Sequence, residues 1–171
     1  TPVRAAAEAG NVEVYQPASL KTDEAYEKLL SYAPDFIVVA AYGKILPQRV
    51  LDIPKYGCVN LHGSLLPKYR GSAPIQRCVI NGEKVTGITA MLMDAGVDTG
   101  DMLLKTETEI GENETAGELF DRLAAMCPDI LLKTLKGIVD GSVKPVKQDP
   151  EKATLAPMLD KNESVIDWSS S

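Results

Sequence analysis

Apolar and polar positions alternate along the chain in blocks that predict strands and helices in turn. The run Asp35–Tyr42 is almost wholly apolar and β-branched, which is typical of a strand covered on both faces in a parallel sheet. Alternation at Val12 and Val14 predicts a short strand before it, and Gly57–Leu61 predicts another after it. The remaining predicted strands are Thr86–Met93 and Met102–Ile110.

Helical spacing of apolar residues separates these strands. The longest predicted helix begins at Thr115, because Thr115 and Glu118 have the spacing of a capping box, and it ends at Gly141. We expect Pro128 to bend or divide it. The shorter predicted helices lie within Pro2–Gly10, Asp23–Ser31, Ile45–Val50 and Ile75–Ile80.

Strands that alternate with helices indicate a layered α/β domain, for which we expect a mostly parallel central sheet and flanking helices. We expect one folded core over residues 1–148 and a polar, turn-rich linker over residues 149–171. Apolar runs such as Phe36–Tyr42 are too short to cross a bilayer. No secretory leader is recognisable, so we expect a cytoplasmic protein without membrane contact.

Charge and cysteine content exclude two kinds of binding site, as follows. The 171 residues carry a formal net charge of -6, which is too acidic for a protein that grips a polyanion with its whole surface. Cys58, Cys78 and Cys127 are widely spaced, and the chain has one histidine, so no zinc site is expected. We expect three buried apolar thiols and no bound metal.

The candidate chemistry lies where two predicted strands end. Asn60 and His62 alternate at the end of one strand, so their side chains point the same way. Asp98 lies in a Gly-rich turn after another strand, and ligands of α/β sheets bind beyond such strand ends. An amide, an imidazole and a carboxylate that meet there form a plausible acyl-transfer site. The alternatives are a structural histidine and an aspartate that only forms an Asx turn.

A family signature includes these three residues. Asn60-Leu61-His62, the loop Ser64-Leu65-Leu66-Pro67 and Asp98 resemble the signature of folate-dependent formyltransferases. That superfamily includes glycinamide ribonucleotide formyltransferases, sugar-nucleotide formyltransferases and formyltetrahydrofolate hydrolases.

Longer stretches narrow the resemblance within that superfamily. His62–Arg77 and Met93–Met102 are most similar to the methionyl-tRNA formyltransferase family, and Ile166–Ser169 resembles that family's junction with a C-terminal domain. The family's opening strand–helix–strand unit, its basic loop and its C-terminal domain have no counterpart in the match. We therefore expect parts outside this chain to bind most of the tRNA.

The resemblance implies a Rossmann-like fold and a reaction. A formyl group would pass from 10-formyltetrahydrofolate to the amino group of methionyl-initiator tRNA, for translation initiation. Asn60 and a protonated His62 would stabilise the oxyanion, and Asp98 would accept the proton of the amine. We expect a monomer and no metal in this reaction.

The resemblance also places the pteridine of the folate between the loop Tyr42–Leu46 and the segment Met93–Asp98. A flat heterocycle needs apolar walls of this kind, although single residues here are equally typical of core or ordinary loop. The residues expected at the folate are Tyr42, Gly43, Ile45, Leu46, Ser64, Leu65, Leu66, Pro67 and Val97.

A compact basic group follows the signature loop. Lys68, Arg70 and Arg77, with Tyr69 nearby, are expected to approach an acceptor-stem phosphate or terminal base. The alternative is a solvated rim of the domain.

Other functions fit part of this pattern. One alternative is a formyltransferase for a sugar nucleotide or another amine, or a formyltetrahydrofolate hydrolase, which Ala73–Arg77 and Asp94–Met102 disfavour. Another is a folate-binding module without turnover, which the joint presence of Asn60, His62 and Asp98 disfavours.

Overall fold

The computed structural model describes residues 2–165 and residue 168, and these residues form five α-helices and four strands. Two short 3-10 helices, Pro150–Lys152 and Lys161–Ser164, follow them. Most of the predicted junction Ile166–Ser169 lies outside the described residues. The elements are α1 (Pro2–Ala9), α2 (Asp23–Ser31), β1 (Ile37–Val39), α3 (Gln48–Leu51), β2 (Cys58–His62), α4 (Pro74–Ile80), β3 (Val85–Leu92), β4 (Met102–Glu109) and α5 (Ala116–Asp140).

The four described strands form one sheet in the order β1-β2-β3-β4. β1 and β2 are parallel, whereas β2–β3 and β3–β4 are antiparallel. The layered α/β class is therefore confirmed, but the mostly parallel sheet is only partly confirmed. Thr86–Met91 of β3 is buried throughout. A run of this kind shows that both faces of a strand are covered, and it does not show in which direction the neighbouring strands run.

Two strand predictions near the start of the chain need correction. Val12 and Val14 lie outside any strand, because no described segment pairs with them and the Val12 amide donates to the carbonyl of Ala7 in α1. The run Asp35–Tyr42 is a strand only over Ile37–Val39, and Val38 is 43% exposed rather than covered. Alternation predicts a strand only where a neighbour accepts its backbone hydrogen bonds.

The long helix α5 has both predicted ends. The Thr115 hydroxyl accepts the Glu118 amide, the Glu118 carboxylate accepts the Thr115 amide, and Gly141 closes the helix in the left-handed conformation. Pro128 lies inside α5 and does not divide it, since buried Leu123 and Ile130 on either side pack on the sheet. No helix in the described ranges is long and apolar enough to cross a membrane.

The sheet has a core on each face, and this places the site. Val59 of β2 packs with α5 on one face. Cys58, the neighbouring residue, points to the other face and packs with Leu46, Val50 and Leu51. Because strand side chains alternate, Asn60 and His62 follow Cys58 along that second face.

The cap of α5 gives a first test. Thr115→Ala removes the hydroxyl that accepts the Glu118 amide, so we expect the free energy of unfolding to fall by about 1 kcal/mol. Urea denaturation measures this change. Thr115→Ser keeps the hydroxyl and should stay within a few tenths of a kcal/mol of the parent, and an equal loss in both variants would contradict the capping role.

Candidate active site

His62 is buried at the end of β2, with 5% of its surface exposed. Its Nε2 donates to the carbonyl oxygen of Tyr69 at 2.8 Å, and its Nδ1 lies 3.5 Å from Oδ2 of Asp98. A neutral imidazole can donate from only one nitrogen, whereas the protonated ring donates from both. Both ring nitrogens of His62 therefore face oxygen atoms that can accept a hydrogen bond.

Asp98 reaches His62 from the turn between β3 and β4. Its backbone is left-handed, with a φ of 53°, and its Oδ2 also accepts the Gly71 amide at 2.9 Å. Asp94 closes the same turn, because its Oδ1 accepts the Gly96 amide and the Thr99 hydroxyl. Asp94 is therefore the turn former, while the carboxylate of Asp98 is directed at the histidine.

Asn60 occupies the neighbouring position on the same face of β2. Alternate residues of a strand are roughly 7 Å apart, so Asn60 lies beside His62 on the side of the cluster around Cys58. Its side chain is half-buried and makes no hydrogen bond within the described part of the chain. The predicted meeting of His62 with Asp98 is observed, and the Asn60 amide next to them has unused donors.

The signature loop, Ser64–Pro67, is hydrogen-bonded to strand β3 of the sheet. The Thr89 hydroxyl of β3 donates to the carbonyl of Ser64 at 2.7 Å and accepts the Leu66 amide at 3.1 Å. Ser64 and Leu66 are fully buried, and the Ser64 hydroxyl donates to the carbonyl of Lys68. These contacts set the shape of the loop, and the folate contacts of Ser64, Leu65, Leu66 and Pro67 stay predictions.

The two other predicted folate segments converge on one apolar cluster. Leu46 is buried there with Cys58, and Met93 packs against them. Ile45 and Val97, in contrast, are 72% and 58% exposed. These two apolar side chains are thus uncovered in the segments that supply Leu46 and Met93, while the folate contacts of Tyr42, Gly43, Ile45, Leu46 and Val97 stay predictions.

The predicted basic group is engaged within the described chain, except for Lys68, whose side chain is exposed. Arg70 donates to Oε1 of Gln148 from Nε and Nη2. Arg77 pairs with Glu163 at 2.6 Å and donates to the carbonyl of Pro157. A role of these three cations towards tRNA stays a prediction.

Several groups that hold the site were not predicted from the sequence. The carbonyl of Tyr69 and the amide of Gly71 are backbone groups, which leave no signal in side-chain chemistry. Thr154 and Ala156 belong to the predicted linker, yet their backbones pair with the loop at Arg70 and Ala73. Residues of that segment therefore contact the site loop, which comprises residues 63–73 between β2 and α4.

The cysteines take no part in this arrangement. Burial raises the pKa of the Cys58 thiol to about 11, so it is protonated at neutral pH although it lies two residues from Asn60. Burial also raises the pKa of Cys78 and Cys127. Cys58 and Cys78 are buried as predicted, whereas Cys127 is only half-buried. Among the described residues, no three His, Cys, Asp or Glu side chains form a metal-binding group.

Comparison with known proteins gives the family of the chain. The sequence profile of the formyl transferase family matches residues 1–135. The chain therefore belongs to the formyl transferase family.

Two relatives of known sequence have the same name. The chain is 58% identical to methionyl-tRNA formyltransferase of Acetivibrio thermocellus, over 99% of this chain and 55% of that protein. It is 55% identical to methionyl-tRNA formyltransferase of Clostridium perfringens, over the same two shares. The chain thus spans about half the length of the relatives it matches.

Solved structures share the fold. Methionyl-tRNA formyltransferase from Clostridium thermocellum matches with a TM-score of 0.71 at 26% identity, over 94% of this chain and 66% of that one. The likeness confirms the Rossmann-like formyltransferase fold.

Gly71 gives a test of how tightly the site loop is held. Its φ is 122°, and an added Cβ would lie 2.8 Å from the carbonyl oxygen of Ala156. We expect Gly71→Ala to lower the free energy of unfolding by about 1–3 kcal/mol, the usual range for such backbone strain, measured by urea denaturation. Gly117→Ala is the matched control, because its Cβ would meet nothing closer than 3.9 Å. A control as unstable as Gly71→Ala would contradict the steric explanation.

Proposed function

We propose that the protein containing this chain transfers a formyl group from 10-formyltetrahydrofolate to the amino group of methionyl-initiator tRNA. The observation that carries the proposal is the contact of buried His62 with Asp98 beside the Asn60 amide, in a member of the formyl transferase family. The high identity to methionyl-tRNA formyltransferases supports the choice of acceptor. An aminoacylated tRNA substrate implies that the reaction takes place in the cytoplasm.

The chemistry begins when the neutral amine attacks the formyl carbon. A carbon–nitrogen bond forms and the carbonyl oxygen becomes an oxyanion. Asn60 donates a hydrogen bond to it, and the charge of protonated His62 stabilises it from the adjacent position. Loss of one such donor typically costs about a hundred- to a thousandfold in rate.

Proton transfer completes the reaction. Asp98 accepts the proton of the attacking amine, directly or through a water molecule, while the bond from the formyl carbon to the folate nitrogen breaks. As the oxyanion returns to a carbonyl, that nitrogen takes up the proton that Asp98 had accepted, so Asp98 is ionised again. The Gly71 amide donates to the Asp98 carboxylate, which lies next to the imidazole of His62, and these contacts support Asp98 as the base. The substrate supplies its own nucleophile.

The folate has a suitable place beside these residues. The cluster of Leu46, Cys58 and Met93 forms an apolar floor on the face of β2 that carries Asn60. The uncovered side chains of Ile45 and Val97 supply walls for a flat ring. In this arrangement the formyl group lies over Asn60 and His62.

The tRNA needs attraction that the whole chain does not supply. The net charge of -6 repels a polyanion, so local cations must contact the phosphates. Exposed Lys68 is the cation of the predicted basic group that is available for this role. Parts outside the chain bind the rest of the tRNA.

The role of Asp98 gives a sharp prediction. In the protein at its natural full length, Asp98→Asn removes the proton acceptor but keeps the side-chain shape. We expect turnover to fall about a hundred- to ten-thousandfold, the usual range for loss of a general base, while the Kd for a folate analogue stays within about threefold. Steady-state kinetics and calorimetry measure the two quantities.

Asp94→Asn is the matched control for this prediction. Its side-chain oxygen can still accept the Gly96 amide and the Thr99 hydroxyl, so turnover should stay close to that of the parent. Near-normal turnover of Asp98→Asn would rule out the proposed base.

The acceptor is tested by direct competition. Formyl transfer to methionyl-initiator tRNA should exceed transfer to an amino-sugar nucleotide by several orders of magnitude in kcat/KM. Radiolabelled formyl donor and separation of the products measure both rates in one mixture. Preferential formylation of the sugar nucleotide would show that methionyl-tRNA is not the acceptor. Folate binding without any formyl transfer would show that the protein is a binding module.

A further inference from the structure

Gln148 connects the site loop to the turn that carries Asp98. Its Nε2 donates to the carbonyl oxygens of Asp98 and Gly100, both at 2.8 Å. Its Oε1 accepts from Nε and Nη2 of Arg70 at 3.0 and 2.8 Å. Both ends of the amide are therefore in use.

These partners leave one orientation for the amide. The guanidinium of Arg70 only donates, and the carbonyls of Asp98 and Gly100 only accept. Reversing the Gln148 amide would place its oxygen against two carbonyls and its NH2 group against the guanidinium. The side chain is thereby locked with its donors on the turn.

The turn that carries Asp98 needs this support because the backbone of Asp98 has an unfavourable conformation. Asp98 is in the left-handed region, which is unfavourable for residues other than glycine and persists only where neighbouring contacts hold it. Gln148 binds the carbonyl of Asp98 itself and that of Gly100 two residues later. A shift of this backbone moves the carboxylate relative to His62, 3.5 Å away.

The opposite end of the link is the tripeptide Tyr69–Gly71. The carbonyl of Tyr69 accepts from His62, and the amide of Gly71 donates to the Asp98 carboxylate. Arg70 between them acts on Asp98 through Gln148. Three consecutive residues thus fix the imidazole, the carboxylate and the backbone beneath the carboxylate.

We propose that Gln148, oriented by Arg70, is a positioning residue that sets the place of Asp98 for proton acceptance. This inference rests on the proposed function of Asp98. It gives Arg70 a role inside the enzyme that is independent of tRNA, because its guanidinium orients an amide rather than binding a phosphate.

The test uses three variants in the protein at its natural full length. Gln148→Met keeps the size of the side chain and loses all four hydrogen bonds. Gln148→Glu keeps the contact with Arg70 but replaces the donors to the turn with a carboxylate oxygen. Gln48→Met is the matched control, since the Gln48 side chain is exposed and, among the described residues, bonds only to Asp52 at the end of its own helix.

The expected result is a split between kcat and KM. A misplaced catalytic group of this kind costs about ten- to a hundredfold in rate. We expect kcat to fall by that factor in both Gln148 variants, with the KM for the folate donor within about threefold of the parent and the control unchanged. The Glu variant should remain folded, as judged by circular dichroism, because it gains an ion pair with Arg70.

A double substitution tests the link to Arg70. Arg70→Met should lower kcat with either a tRNA or a small amine acceptor, and adding Gln148→Met should cause little further loss. Additive losses, or an effect of Arg70→Met limited to tRNA affinity and its salt dependence, would overturn the link.

The outcomes separate the two proposals. A parent protein that transfers no formyl group refutes the proposed function. An active parent together with normal kcat in Gln148→Glu overturns the positioning role of Gln148. An equal rise in the folate KM and fall in kcat would also overturn it, because general loosening of the domain explains that pattern.

Discussion

The site depends on one buried imidazole with an oxygen atom at each of its nitrogens. A polar ring taken out of water without partners costs several kcal/mol, and His62 avoids this cost through Tyr69 and Asp98. Both partners are acceptors, so each ring nitrogen faces an oxygen atom and the ring is fixed in one orientation. The two contacts that stabilise the end of β2 therefore also orient the imidazole for the proposed reaction.

The neighbours of His62 are held by the backbone more than by side chains. The loop after β2 supplies a carbonyl at Tyr69 and an amide at Gly71, and it is held in place by the backbones of Thr154 and Ala156. Backbone groups have fixed lengths and no rotamers, so they set distances with little loss of side-chain entropy. Such a frame suits the proposed reaction, in which Asp98 and His62 stay in contact.

Several strands, the ends of the long helix and the position of the site could be predicted from local sequence patterns. Strands β2, β3 and β4 and both ends of α5 follow from alternation and from capping residues, and the strand-end positions of Asn60 and His62 pointed to the site. The directions of β3 and β4 did not follow, because burial on both faces is independent of strand direction. Gln148 was missed because its partners are distant in the chain and two of them are carbonyl oxygens.

The contacts that complete the site span long stretches of chain. Asp98 and Gly71 are 27 positions apart, Arg70 and Gln148 are 78, and Tyr69 and Thr154 are 85. Closing such loops loses conformational entropy before the contacts lower the free energy, whereas neighbouring strands and capped helices form locally. We therefore expect the catalytic geometry to be the last part to become ordered during folding and an early part to open on partial unfolding. Activity would then be lost while most helices and strands are still intact.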